Sequence, residues 1–561
     1  MKFSENPFRQ RALLFTGLLF IFGLSAIFAY SNILNAFFLA DDFELILGAK
    51  KFGPFAPWTP GAAQGFFRPL ITLSFFIDYR LWALNPTGYH ATNLICHAFN
   101  SLLIFLIGFT LLSRQKPSPV DPRLLAFLSG FFFLILPCHT ESVTWISGRT
   151  DLVATFFCLA SFRAYLSFQE KRKIVTLSLS MLFFLLALLS KESILLYPLL
   201  ILGYEGYEVY AFRFKKENWM WCLWVAILFG VVFCLYIIIK YAASGSVTLG
   251  YGLGAHFGLR PLKVFKDVLL FLTRPFIPPI SVDFQTFLHF KALIAEQIPF
   301  WVRMITAILL AGFLLFILPK LYQKIIKNHF QKEMLGLLLF LFFGAVLFFI
   351  PALSSGISLR DTNNERFIYL PSAFYSIFLT LIFLLLFKKK IFCVGVFIGL
   401  FMIFTISLHR LNENWRIAGE LSRNAVQDLL KVEGNSGKIY LVSLSGEMRG
   451  AHIHVSIQDA VDLFSQRKPS EIIVISYLYM FRSEDGITVT KEGDIYRVTT
   501  TNPRGYFFSY FYPLNQGTVD TRFFELVPAR VNLFDFRLKE IRAGDRLMSL
   551  SRGRLVTLEN L

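Results

Sequence analysis

Two adjacent carboxylates, Asp41 and Asp42, follow directly on a long apolar run, in the segment Ala40-Asp41-Asp42-Phe43-Glu44. Neighbouring side chains diverge on a strand or a helix, so one carboxylate faces a cavity while the other fixes the loop. A carboxylate at a membrane interface suits a general base that takes a proton from a hydroxyl; an ordinary solvated loop start is the bland alternative. Further on, His90, Asn93, His97 and Asn100 recur at i, i+3, i+7 and i+10. That spacing draws one polar stripe along an otherwise apolar helix, either satisfied by neighbouring helices or presented to a pocket. Two of its histidines share a face, but no third metal ligand accompanies them. His139, Glu141, Arg149 and Asp151 put four ionisable groups within thirteen residues, too many for a mere connector. Arg68 precedes Pro69, Lys191 precedes Glu192, and Arg366 follows Glu365. Lys191 and Arg366 are cations at the depth of a lipid phosphate, which an Arg grips as a fork and a Lys as a point charge. Pairing of Lys191 with Glu192, or of Arg366 with Glu365, is the competing reading.

These groups need a scaffold, and the composition says what kind. Of 561 residues 55% are hydrophobic and 16% charged, against about 45–50% and about 25% in soluble chains. A soluble enzyme, a disordered chain and a coiled coil are thereby excluded. The six cysteines lie mostly in apolar runs without a CxxC pair and read as small hydrophobes. About eleven runs are apolar and long enough to span a bilayer, at roughly 13–35, 91–113, 123–138, 151–168, 174–190, 193–210, 219–241, 300–319, 334–353, 367–387 and 391–409. Basic clusters such as Arg114/Lys116/Arg123, Lys171/Arg172/Lys173 and Lys388/Lys389/Lys390 fall between alternate runs. The positive-inside rule puts all of them in the cytoplasm in a single threading. The net charge of +18 is then a topology signal and calls for no nucleic-acid partner. The first run, lacking a small-residue cleavage site, is expected to be a retained anchor. Residues 1–410 form the membrane module, and 411–561, with short strand-like runs and one helix-like stretch, an α/β or β-rich domain outside the cytoplasm. The candidate groups share that outer side. Charges beside a bilayer are expensive, so their convergence marks one outward-facing cavity.

The carrying segments are Asp41-Asp42, Arg68-Pro69-Leu70, Asn85-Pro86-Thr87-Gly88-Tyr89-His90-Ala91-Thr92-Asn93-Leu94, His139-Thr140-Glu141-Ser142-Val143, Gly148-Arg149-Thr150-Asp151-Leu152, Lys191-Glu192-Ser193 and Glu365-Arg366-Phe367-Ile368-Tyr369-Leu370-Pro371. In this order, over roughly residues 10–375, the chain resembles the membrane module of the transmembrane and tetratricopeptide-repeat O-mannosyltransferases and their bacterial relatives, of the GT-C class of glycosyltransferases. The resemblance implies a GT-C fold, a polyprenyl-phosphate sugar donor, an active site on the outer face and an acidic residue of the first loop as base. Asp41 or Asp42 is then the base, and Arg68, Arg149, Lys191 and Arg366 hold the donor phosphate. His90, His97, His139, Glu141, Asp151 and Glu192 line the sugar or acceptor pocket or orient the charges. No 34-residue helical period follows, so mannose and the acceptor (protein, glycan or lipid hydroxyl) stay open, as does a divalent metal. A multi-pass protein of a bacterial inner membrane, its site facing the periplasm, is expected. The rival is a lipid flippase or transporter, which places charges near the midplane of two repeated halves; here they gather at one surface.

Overall fold

The computed structural model describes residues 7–59, 66–115, 121–212, 219–245, 261–274, 329–353, 362–386, 390–432, 437–465, 470–512, 514 and 517–558. The run at 300–319 lies outside them. Among the described residues six helices are long and apolar enough to cross a membrane, or seven if one bent pair counts as a span. Leu13–Ala29 and Ile174–Leu188 are shorter apolar helices. The chain is a polytopic α-helical membrane protein with a β-rich C-terminal region.

Local chemistry sets several boundaries. Asn85 caps the helix Pro86–Ser113 by accepting from Thr87 N at 3.2 Å, with Pro86 in the first turn where no donor is needed. Asp121 caps Pro122–Leu134 in the same way. Leu136, extended ahead of Pro137, ends that element. The chain turns by 55° there before Pro137–Val143 continues. The long stretch after the first helix folds into two helices, Asp42–Phe52 and Pro69–Trp82. Pro69–Trp82 leaves Leu73, Ile77, Leu81 and Trp82 exposed, as a helix lying in the interface does.

The helix Lys390–Val432 has 43 residues, roughly 65 Å at 1.5 Å per residue, about twice the hydrocarbon thickness. It runs through residue 410 and carries the chain out of the bundle. Its far half buries Trp415, Ala418, Leu421, Ala425 and Leu429 in a core shared with Phe38, Phe43, Phe75 and Trp145 of the membrane module and Tyr440, Leu444, Ile457 and Tyr477 of the C-terminal region. Among the described residues that region holds three sheets. In the first, Ile439–Leu441 lies between Arg546–Ser551 and Ile472–Val474, parallel to both, and Ile472–Val474 ends the sheet. A five-stranded antiparallel sheet spans Ile487–Leu538, and a third is built on Leu444–Met448 and Tyr477–Met480. One continuous core therefore joins the β-rich region to one end of the helices, and the cavity lies at that junction.

Candidate active site

The cavity has a volume of 620 Å³. From the membrane module it is lined by Asp41, Glu44, Arg68, Trp145, Ser147, Thr150, Asp151, Lys191 and Arg366, among others. From the C-terminal region come Val455 to Asp459, Ile472, Val474, Tyr477 and Phe511. Two walls from distant parts of the chain thus face each other.

The two adjacent carboxylates part company. Asp41 lines the cavity. Asp42 is 1% exposed; it accepts from Leu39 N at 2.9 Å, from Ser147 N at 2.8 Å and from the Ser147 hydroxyl. Burial pushes its carboxyl up to about 7, against those hydrogen bonds, which pull it down. The loop is held from the far wall as well. Ala40 sits at φ 45° and donates its N–H to Ile453 O at 2.8 Å. Glu44, one turn on, lines the cavity. Burial, with the charges of Asp41 and Asp459, pushes it up to about 7.

The cations are anchored by carboxylates from other elements. Arg68 forks onto Glu192, with Nε to Oε2 at 3.1 Å and Nη2 to Oε1 at 2.7 Å, and stacks on Phe66 at 4.1 Å. Lys191 Nζ meets Asp151 Oδ1 at 2.5 Å and lies 5.0 Å from the centre of the Phe367 ring. Arg366 Nη1 stands 3.3 Å from Glu141 Oε1, and Arg366 N donates to Glu141 Oε2 at 2.8 Å. The pairings run across elements, because side chains adjacent in sequence diverge. Glu365 holds Arg274 at 3.0 Å.

The remaining residues singled out in the sequence stand behind this wall. Arg149 is 1% exposed. It pairs with Asp78 at 2.6 Å, donates to Asn93 Oδ1 and Tyr89 O, both at 3.1 Å, and stacks over Phe75. The polar stripe is a seam between helices. His90 Nε2 meets Ala36 O at 3.1 Å, and Asn93 donates to Val143 O and Trp145 O. His97 Nε2 faces Leu134 O at 3.0 Å, so it must carry the proton; Nδ1 then accepts from the Tyr369 hydroxyl at 2.6 Å. Asn100 donates to the same hydroxyl at 3.1 Å. His139 Nε2 meets Ser372 Oγ at 2.8 Å. His90, His97, His139, Glu141 and Arg149 are not on the cavity wall; Asp151 is, and Glu192 reaches it through Arg68. Among the described residues no group of three or more His, Cys, Asp and Glu stands ready for a metal ion.

Sequence reasoning missed Asp78, whose only signal was a lone carboxylate in the apolar helix Pro69–Trp82. It missed the wall from Val455 to Phe511 entirely, since nothing local ties those residues to Asp41. The Arg149–Asp78 pair makes a test. Removing one partner of a buried pair leaves an uncompensated charge and costs about 3–5 kcal/mol. Arg149→Ala and Asp78→Ala should each lower the thermal unfolding midpoint in detergent sharply. A folded Arg149→Ala with weakened donor binding would instead give Arg149 a direct part in the site.

No protein-family model matches the chain. It is similar to the Drosophila melanogaster protein O-mannosyl-transferase Tmtc1, 34% identical over 180 residues, which is 29% of this chain and 20% of that protein. The Caenorhabditis elegans protein O-mannosyl-transferase F38B6.6 is 24% identical over 320 residues, 56% of this chain and 42% of that one. Human protein O-mannosyl-transferase TMTC3 is 34% identical over 149 residues, covering 24% and 15%. Among solved structures, ArnT from Cupriavidus metallidurans in the apo state aligns at 13% identity and TM-score 0.47, over 82% of this chain and 86% of that one. The archaeal oligosaccharyltransferase AglB from Archaeoglobus fulgidus aligns at 15% identity and TM-score 0.40, over 73% and 58%. The chain spans less than half the length of these curated relatives, and over the aligned part it is similar in sequence to protein O-mannosyl-transferases of animals.

Proposed function

We propose that the protein is a GT-C glycosyltransferase that moves a sugar from a polyprenyl-phosphate donor to a hydroxyl acceptor on the outer face of its membrane. In a bacterium that face is the periplasmic one. One observation carries the reading: a single cavity presents the carboxylate Asp41 together with the cations Arg68, Lys191 and Arg366. Asp41 takes the proton of the acceptor hydroxyl, which is a weak nucleophile unaided. The acceptor oxygen then bonds to the anomeric carbon as the bond to the phosphate oxygen breaks, with inversion. Polyprenyl phosphate leaves with the electron pair, and the three cations stabilise its charge. Asp42 fixes the loop, Glu141 and Asp151 aim Arg366 and Lys191, and Glu192 aims Arg68. The relatives' name makes mannose the first sugar to try, and the basic clusters between alternate spans support the orientation.

The test is reconstitution of the full chain in lipid nanodiscs with radiolabelled polyprenyl-phosphate mannose and a panel of peptide, glycan and glycolipid hydroxyls. Label should leave the lipid and appear on a hydroxyl acceptor. An intact donor throughout, with labelled lipid crossing the bilayer when the chain is placed in liposomes, would make it a flippase instead.

A further inference from the structure

Resting on the transferase reading above, we infer that His452 of the C-terminal region is a positioning residue of the transfer site, a charged group behind Trp145 that sets how much of the Arg366 charge reaches the donor phosphate. His452 sits on a hairpin. Arg449 and Gly450, at φ 48° and φ 91°, supply the two positive φ values that a two-residue turn between Leu444–Met448 and Ala451–His452 demands. The register of that turn puts Glu447 directly opposite His452, as a cross-strand pair of opposite charge. His452 Nδ1 stands 3.4 Å from Glu447 Oε1, and the two side chains are 14% and 10% exposed. The His452 ring lies 6.1 Å from Trp145, and the Arg366 guanidinium lies 5.3 Å from the same indole. Trp145 and Arg366 line the cavity; His452 backs them. The next residue, Ile453, accepts the Ala40 N–H beside Asp41 at 2.8 Å. One hairpin of the C-terminal region thus reaches both the base loop and a phosphate cation.

Charge gives His452 its effect. Burial works against the imidazolium, as does the charge of Arg366, but Glu447 and Glu141 favour it and hold the ring above the ordinary histidine value. Glu141 is therefore answered by two cations, Arg366 at 3.3 Å and His452 through space. The second cation offsets the carboxylate and leaves more of the Arg366 charge for the departing phosphate. The other groups packed here are Tyr510, which interacts with both Glu447 and Asp41, and the uncharged Trp415 of the helix Lys390–Val432, stacked 6.4 Å from Trp145. As pH rises through the raised value, His452 loses its proton, Glu141 is left to Arg366 alone, and transfer slows.

The test follows single-turnover cleavage of radiolabelled polyprenyl-phosphate mannose across pH, with the full chain in nanodiscs and the acceptor panel present. The wild type should show an alkaline limb on which the rate falls. His452→Gln should lower the rate at neutral pH about tenfold, the scale of one charge acting across a protein interior, and should flatten that limb. Glu447→Gln keeps the imidazole but removes the charge that favours its proton, so the limb should move to lower pH. Both are repeated in Glu44→Gln, which removes a cavity carboxyl that is itself pushed up to about 7. If His452→Gln fails to fold, the movement in Glu447→Gln decides. A purely structural His452 predicts an equal loss at every pH; that result, or a limb that stays in place in Glu447→Gln, overturns the inference. A wild type that cleaves the donor without an alkaline limb overturns it and leaves the transferase reading intact. A donor left uncleaved at every pH overturns both.

Discussion

Replacing Asp41 with Asn should cut sugar transfer by about 10²–10⁴-fold, the usual contribution of a general base. Asn keeps the size and most of the hydrogen bonding of the side chain but cannot take the acceptor's proton. Donor affinity should change little, because the cations proposed to hold the phosphate, Arg68, Lys191 and Arg366, line other parts of the cavity. Asp42→Asn is the contrasting variant. Asp42 bridges Leu39 to Ser147 and has no place on the cavity wall, so its loss should appear as lower thermal stability and a milder, parallel loss of activity. Glu44 lies in the same cavity with its carboxyl pushed up to about 7. Glu44→Gln removes one of the charges beside Asp41 and should shift the pH profile of transfer without abolishing it. Purified variants assayed across pH separate the three carboxylates. Wild-type rates in Asp41→Asn would move the catalytic centre away from this loop.

Arg366→Ala and Lys191→Ala should each lower transfer by roughly a hundred- to a thousandfold, as losing one charge-stabilising donor costs about 2.7–4 kcal/mol in the transition state. Arg366→Lys should recover only part of that, because the fork is lost while the charge stays. The Arg366 guanidinium is braced by Glu141 at 3.3 Å and by the Trp145 face at 5.3 Å. A shorter ammonium reaches neither brace and phosphate together. The readout is single-turnover cleavage of the lipid donor at normal expression. Full turnover in either alanine variant would make that residue's ion pair purely structural.

The sequence carried the membrane architecture because burial in lipid is a local property. A run of about 20 apolar residues has one outcome wherever it sits, and the helices Pro86–Ser113, Arg149–Lys171 and Tyr369–Leu386 fall where their runs do. The separation of Asp41 from Asp42 was legible for the same reason, since backbone geometry sends neighbours apart. The polar stripe was legible as a stripe. What it faces was not: spacing fixes a helical face and leaves the neighbour unnamed, and His90, His97 and Asn100 turned out to knit helices together through Ala36, Leu134, Leu152 and Tyr369.

The sequence by itself determined that this is a multi-pass membrane protein with a β-rich region after its last apolar run, and it put the candidate site residues on one side of the threading. Only the tertiary structure decided which of those residues meet in one cavity. Arg68 is matched to Glu192 across 124 positions and Arg366 to Glu141 across 225. The wall from Val455 to Phe511 reaches Asp41 only because Lys390–Val432 outruns the bilayer and folds that region back onto the helices. Ion pairs and cavity walls depend on distances through space, and a periodic pattern along the chain encodes directions only within its own helix or strand.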